Sequence, residues 1–316
     1  MTLDPAAAQL LARMPATDPD APMPTAQQLR AAFDSARVLP SNLEPIGSIT
    51  DVLLPGPGGD LQVRVYLPAG TGTDSRLPGF LWIHGGGWTV GSFEENELAS
   101  RAVCNGAQVA VVAINYRLAP EHPFPAARDD CYAALDWLSR HGDEIGVDPQ
   151  RLAVGGESAG GNLATVISMM ARDRGGPSIA AQVSICPVYG HPSDGFDSYR
   201  LFAEGYGMTA GVMGFFFEQY VQGDVDTEDP YLLPLRSSDL AGLPPALVLT
   251  AEFDVLRDEG EELARRLQAA GVPTELTRYA GQIHGFYGLF TELPASPRSH
   301  AQVAGYLRSV WADSSG

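Results

Sequence analysis

The chain has 316 residues, 45% of them hydrophobic and 18% charged, a balance that supports a sizeable packed core and excludes the polar, highly charged signature of disorder. Its formal charge of −18 comes from 38 acidic and 20 basic residues, which excludes nucleic acid and anionic membrane surfaces as partners because both would repel it. Lysine is absent, so Schiff-base chemistry is excluded as well. Cys104, Cys131 and Cys186 stand at no metal-ligand or redox spacing and read as buried thiols in a reducing compartment. The first residues form no basic-then-apolar leader, and no apolar run is long enough to span a bilayer. A cytoplasmic protein without membrane insertion is expected.

Residues 1–45 contain two helical patterns, 6–13 and 25–36, with Pro15, Pro19, Pro22 and Pro24 around and between them. They read as a helical appendage. Alternating or apolar segments at 49–54 and 61–66 flank the Pro-Gly-rich stretch 55–60, which predicts an antiparallel hairpin. The pattern then changes to short, continuous apolar runs at 79–83, 109–114, 152–155, 181–185 and 246–250, the composition of parallel strands buried on both faces. Residues 274–279 supply one further strand, at the sheet edge.

Helical patterns at 126–141, 159–172 and 259–270 fall between these strands, and a terminal amphipathic helix is expected to start at His300. The fold class is therefore α/β, with a mostly parallel central sheet and helices on both faces. Segments 46–186 and 244–316 form the core. Residues 187–243 are far too long for a strand-to-helix connection and read as an inserted cap.

Ser158 lies in Gly156-Glu157-Ser158-Ala159-Gly160, where small residues on either side allow a sharp strand-to-helix turn that leaves the hydroxyl clear. The pentapeptide alone is weak; its position between the strand at 152–155 and a helix gives it meaning. A serine nucleophile needs a base, and its acyl-transfer intermediate needs donors for an oxyanion. His84-Gly85-Gly86-Gly87-Trp88 follows the strand at 79–83, so the N–H groups of Gly86, Gly87 and Ala159 are candidate donors.

Three histidines follow Ser158. His191 opens the insertion and His300 starts the terminal helix, whereas His284 sits in a loop directly after the last strand. His284 is the candidate base. Asp254, four residues after the run 246–250, is the candidate carboxylate that orients it. Asp258 reads instead as a helix-start residue and Glu252 is a weaker rival. Trp88 and Phe286 adjoin candidate catalytic residues and are expected, with Glu157, on the pocket wall; the aromatics Phe202, Tyr206 and 215–217 are expected to pack the cap itself.

Four stretches carry a family resemblance: His84-Gly85-Gly86-Gly87-Trp88; Tyr116-Arg117-Leu118-Ala119-Pro120-Glu121-His122-Pro123-Phe124-Pro125-Ala126-Ala127; Gly155-Gly156-Glu157-Ser158-Ala159-Gly160-Gly161-Asn162; and Asp254-Val255-Leu256-Arg257-Asp258-Glu259-Gly260 followed by His284-Gly285-Phe286. In order and spacing the chain resembles the hormone-sensitive-lipase-like (bacterial family IV) carboxylesterases of the α/β-hydrolase fold.

The resemblance implies a Ser158–Asp254–His284 triad, no cofactor and no metal, a cap built from residues 1–45 plus the insertion, and esters of short or medium acyl chains as substrates. Glu157 departs from the pattern, since these enzymes most often carry Asp there. The same triad also serves amidases and deacetylases, and the fold also hosts ligand-binding homologues that have lost part of the triad; here all three positions are filled. The last-strand edge is available for pairing across a homodimer.

Overall fold

A computed structural model describes residues 2–14, 23–36, 43–72 and 75–313. In chain order its elements are α1 (Pro5–Arg13), α2 (Ala26–Ala36), β1 (Ser48–Gly56), β2 (Gly59–Leu67), β3 (Leu77–Ile83), α3 (Glu97–Ala107), β4 (Ala110–Asn115), α4 (Ala126–His141), β5 (Val147–Glu157) and α5 (Ala159–Arg174). They continue with β6 (Ala181–Ile185), α6 (Asp197–Leu201), α7 (Ala210–Tyr220), β7 (Ala246–Phe253), α8 (Arg257–Ala269), β8 (Thr274–Ile283) and α9 (Ala295–Asp313).

Eight strands form one sheet in the order β1-β2-β4-β3-β5-β6-β7-β8. The first two make the expected hairpin, with Gly56 opposite Gly59, and β2 runs antiparallel to β4. All later pairings are parallel. Right-handed crossovers then dictate the layers. From β3 to β4 the chain steps toward β1, carrying α3 to one face; from β4 onward it steps the other way, carrying α4, α5 and α8 to the opposite face. The packing agrees: α9 lies against α3, and α4 against α5.

Burial follows from that layering. Residues 110–114 of β4 and 181–185 of β6 are buried at every position, because a parallel strand covered on both faces has no solvent side. Cys104, Cys131 and Cys186 are free and buried, as expected. Among the described residues no helix is long and apolar enough to cross a membrane.

Three local expectations change. Helix α3 goes unread in the sequence, although its buried positions Ala99, Val103, Cys104 and Ala107 recur at helical spacing. The terminal helix begins at Ala295, so His300 lies inside it, buried, with Nε2 3.0 Å from Tyr287 O. The third parallel strand starts early, at Val147, because a register shift between Pro78 and Gly79 lets β3 pair both 147–148 and 152–156.

Candidate active site

One residue separates β5 from α5, and it is Ser158, at φ 57° and ψ −120°. A non-glycine residue pays steric strain in that region and keeps it only where its surroundings enforce it. Here Ser158 N–H donates to Ile185 O at 2.8 Å. The flanking glycines make room: a Cβ on Gly160 would lie 2.0 Å from Ile83 O, and one on Gly156 would lie 2.3 Å from the Gly160 carbonyl carbon. The turn is thus pressed against the end of β3, with the serine at its apex. One turn further on, Asn162 Nδ2 donates to Val188 O and Leu232 O, both at 2.9 Å, tying two ends of the insertion to the helix.

The glycine loop after β3 approaches that apex. A Cβ on Gly85 would stand 3.3 Å from Ser158 Cβ. Gly86 adopts φ 103°, and any side chain on it would collide with Val90 O at 2.1 Å. Ala159 opens α5, and the first N–H groups of a helix have no partner within it. Gly85 and Gly86 thus share one cavity with Ser158.

His84 holds the loop from behind. Its ring stacks on Tyr116 at 4.2 Å, its Nδ1 lies 2.7 Å from Gly85 O, and burial lowers its pKa to about 4. It is a neutral structural donor. Tyr116 Oη donates to His84 O at 3.0 Å, and Ala119 N donates to Trp88 O at 2.8 Å, so the Tyr116–Pro125 stretch buttresses the loop.

Asp254 is the first residue beyond β7, and His284 the first beyond β8. Because neighbouring parallel strands end at one sheet edge, the two side chains meet: His284 Nδ1 lies 2.7 Å from Asp254 Oδ2, while Asp254 Oδ1 accepts Leu256 N–H at 3.0 Å. Both are buried. Burial favours the neutral imidazole, but the Asp254 charge, its hydrogen bond and the Glu157 charge outweigh it and raise the His284 pKa above its ordinary 6.5.

The rival carboxylates are engaged elsewhere. Asp258 sits in the first turn of α8, accepting from Ser198 N at 2.8 Å and Arg257 Nε at 2.7 Å, and Glu252 accepts from Gly281 N. Cys186 lies near Asp254 and His284, the one such Cys/His/carboxylate grouping among the described residues, with ligand-type atoms within 4.8 Å. Its His284 and Asp254 atoms are already bonded to each other.

Ser158, His284, Gly85 and Gly86 open onto a cavity of about 280 Å³. Leu29 and Phe33 of α2, Val212 and Phe216 of α7, and Leu289 and Phe290 after β8 form its apolar walls; Glu95, Asn96 and Glu157 form a polar stretch. Glu157 lies on this wall, and burial raises its pKa to about 7.

Trp88 and Phe286 are not on that wall. Both are 0% exposed; Trp88 stacks on Tyr220 at 4.4 Å and Phe286 packs on Tyr279 at 4.7 Å. Adjacency in sequence to a site residue does not say which way a side chain points, and these two anchor the loops from inside. Phe202 and Tyr206 pack on each other within the insertion and also on Phe253 of β7 in the core, whereas Phe216 reaches the cavity. Sequence reasoning also missed Arg30, whose guanidinium donates to Thr89 O and Ala119 O at 2.8 and 2.7 Å and pairs with Glu121, and it missed Asn96. Neither belongs to a chemical motif.

Comparison with known proteins agrees with this geometry. Residues 80–288 match the family described as the alpha/beta hydrolase fold. The carboxylic ester hydrolase LipN of Mycobacterium tuberculosis is 44% identical over 249 residues, covering 77% of this chain and 65% of that protein. The esterase LipI of the same organism is 36% identical over 89% of this chain and 88% of its own length. Among solved structures, an esterase of Pyrobaculum calidifontis superposes with a TM-score of 0.88 at 37% identity, covering 97% of this chain and 98% of that one. A thermostable esterase of Pseudomonas putida gives 0.89 at 36% identity over 98% and 97%. The chain belongs to the α/β-hydrolase fold family, in its hormone-sensitive-lipase-like branch of carboxylic ester hydrolases.

Proposed function

We propose that this serine ester hydrolase works through an acyl-enzyme on Ser158. The observation that carries the reading is the 2.7 Å bond between His284 and Asp254 on the cavity that Ser158 faces. His284 takes the Ser158 proton as Oγ attacks the ester carbonyl, and Asp254 fixes the tautomer and stabilises the imidazolium. The N–H groups of Gly86, Gly87 and Ala159 hold the oxyanion. Protonated His284 then donates to the departing alkoxide. In the second half, His284 activates water, which attacks the acyl carbon and frees Ser158 and the acid.

The compact, largely apolar cavity favours short or medium acyl chains. Helices α1 and α2, within residues 1–45, together with the insertion at 187–243, act as a cap over the core segments 46–186 and 244–316; the basis for this division is that α2 and α7 both line the cavity. The free thiols fit a reducing cytoplasm, and β8, at the sheet edge, offers a surface for a homodimer.

The test is a rate panel of p-nitrophenyl esters from acetate to palmitate, with Ser158→Ala as control and mass spectrometry of the protein after an organophosphonate. Turnover that peaks at short or medium chains, is lost in the variant, and a single adduct on Ser158 are expected. Wild-type turnover equal to that of Ser158→Ala would overturn the reading.

A further inference from the structure

In the hydrolytic steps Glu157 acts only through its charge near His284, and Asn96 has no part. Glu157 and Asn96 are 6% and 4% exposed and both line the cavity that holds Ser158 and His284. They arrive from different places: Glu157 ends β5 one residue before the serine, and Asn96 closes the short 3-10 turn that precedes α3. They converge at Gly288, where a Cβ would stand 2.6 Å from Asn96 Oδ1 and 2.6 Å from Glu157 Oε2. Only a residue without a side chain leaves both polar ends facing the same space.

Among the described residues, Glu157 Oε1 and Asn96 Oδ1 have no hydrogen-bond partner. Buried polar atoms are normally paired, and each one that is not calls for an explanation. Glu157 accepts one backbone bond from Gly288, which leaves Oε1 unpaired, and Leu289 and Phe290 on the same cavity offer no side-chain donor. A purely hydrocarbon substrate would leave both atoms unpaired. With Glu157 protonated, a single hydroxyl would satisfy both, accepting from the carboxylic acid and donating to Asn96 Oδ1. Burial raises the Glu157 pKa to about 7, which keeps the protonated form available near neutral pH.

We propose that Glu157 and Asn96 form a polar subsite that binds a hydroxyl group of the substrate, so that hydroxylated esters are the preferred substrate class. The proposal rests on the reading that this cavity holds the ester acylating Ser158. Sites built to bond a substrate hydroxyl discriminate strongly against the analogue lacking it, because their polar groups are then left unpaired.

The experiment measures kcat/KM by pH-stat for matched pairs of esters on the wild-type protein. One pair places the hydroxyl on the acyl side, ethyl 3-hydroxybutyrate against ethyl butyrate; the other places it on the alcohol side, 3-hydroxypropyl butyrate against propyl butyrate. A preference of about tenfold or more for the hydroxylated member of either pair is expected, and the pair that shows it places the subsite on the acyl or the alcohol side. Ratios near one in both pairs would overturn the proposal, as would ethyl 3-aminobutyrate exceeding the hydroxy ester, which would point to an ammonium site.

Glu157→Leu and Asn96→Ala should each bring the preferred ratio toward one, whatever happens to the absolute rates; wild-type ratios in both variants would refute the assignment of these residues. The wild-type ratios stand even if a variant fails to fold. Absence of turnover on the unsubstituted esters is a different outcome, which sinks the esterase reading and the subsite with it.

Discussion

Arg30 and Glu121 pair through two parallel bonds, Nη1 to Oε1 at 2.8 Å and Nη2 to Oε2 at 2.6 Å. The same guanidinium donates to Thr89 O and Ala119 O, so one side chain of α2 grips the glycine loop and its buttress together. Its neighbours Leu29 and Phe33 line the cavity, and the grip is what seats that wall.

Replacing Arg30 by Ala removes the charge-assisted bonds and leaves two carbonyl groups without their donor. KM for medium-chain esters should rise by about tenfold, a loss on the scale of one such bond, with a smaller change for acetate esters. Glu121→Gln should do less, because the backbone bonds persist. Steady-state kinetics across chain lengths checks both. The Arg30 bond lowers the Glu121 pKa to about 2 from 4.5, so the pair's contribution is complete above 4.5 and is lost only as pH falls through about 2. The grip should be insensitive to pH near neutrality.

The choice of acid is tested by paired substitutions. Asp254→Asn should reduce kcat by about ten thousandfold, the scale measured for a triad acid replaced by its amide. Asp258→Asn should change kcat by less than about tenfold, and should instead lower the melting temperature, because Asp258 ties α8 to α6 through Ser198 N. Reversed magnitudes would show that the wrong carboxylate has been assigned.

A pH profile reads His284 directly. As general base it must be neutral, so kcat/KM should fall as pH drops through its pKa, which lies above the ordinary 6.5 because Asp254 and Glu157 outweigh burial. Removing the Glu157 charge with Glu157→Gln takes away one raising cause, and the acidic limb should move to lower pH. A limb unmoved in the variant would mean that Glu157 does not influence the base.

Gly160→Ala tests the turn beneath the nucleophile. Its new methyl would meet Ile83 O at 2.0 Å, backbone that cannot swing aside. Destabilisation at the upper end of overpacking, about 3 kcal/mol, and near-complete loss of ester turnover are expected from thermal melts and initial rates. Full activity would show that the turn tolerates a wider approach to β3.

What the sequence determined by itself was the order of elements and the residues at their ends. Continuous apolar runs identify strands buried on both faces; Ser158 and Asp254 follow such runs within a few residues and His284 follows the edge strand, so their placement at one end of the sheet was readable without coordinates. Tertiary structure decided the cavity. Arg30 meets Glu121 across 91 residues, Asn162 holds Leu232 across 70, and Asn96, Glu157 and Gly288 share one space with no period or spacing linking them. It also decided that Trp88 and Phe286 face the core while Phe216 faces the cavity, because the direction of a loop side chain depends on what packs against it. Local periodicity is set by neighbours in the chain; the shape and polarity of a binding site are set by neighbours in space.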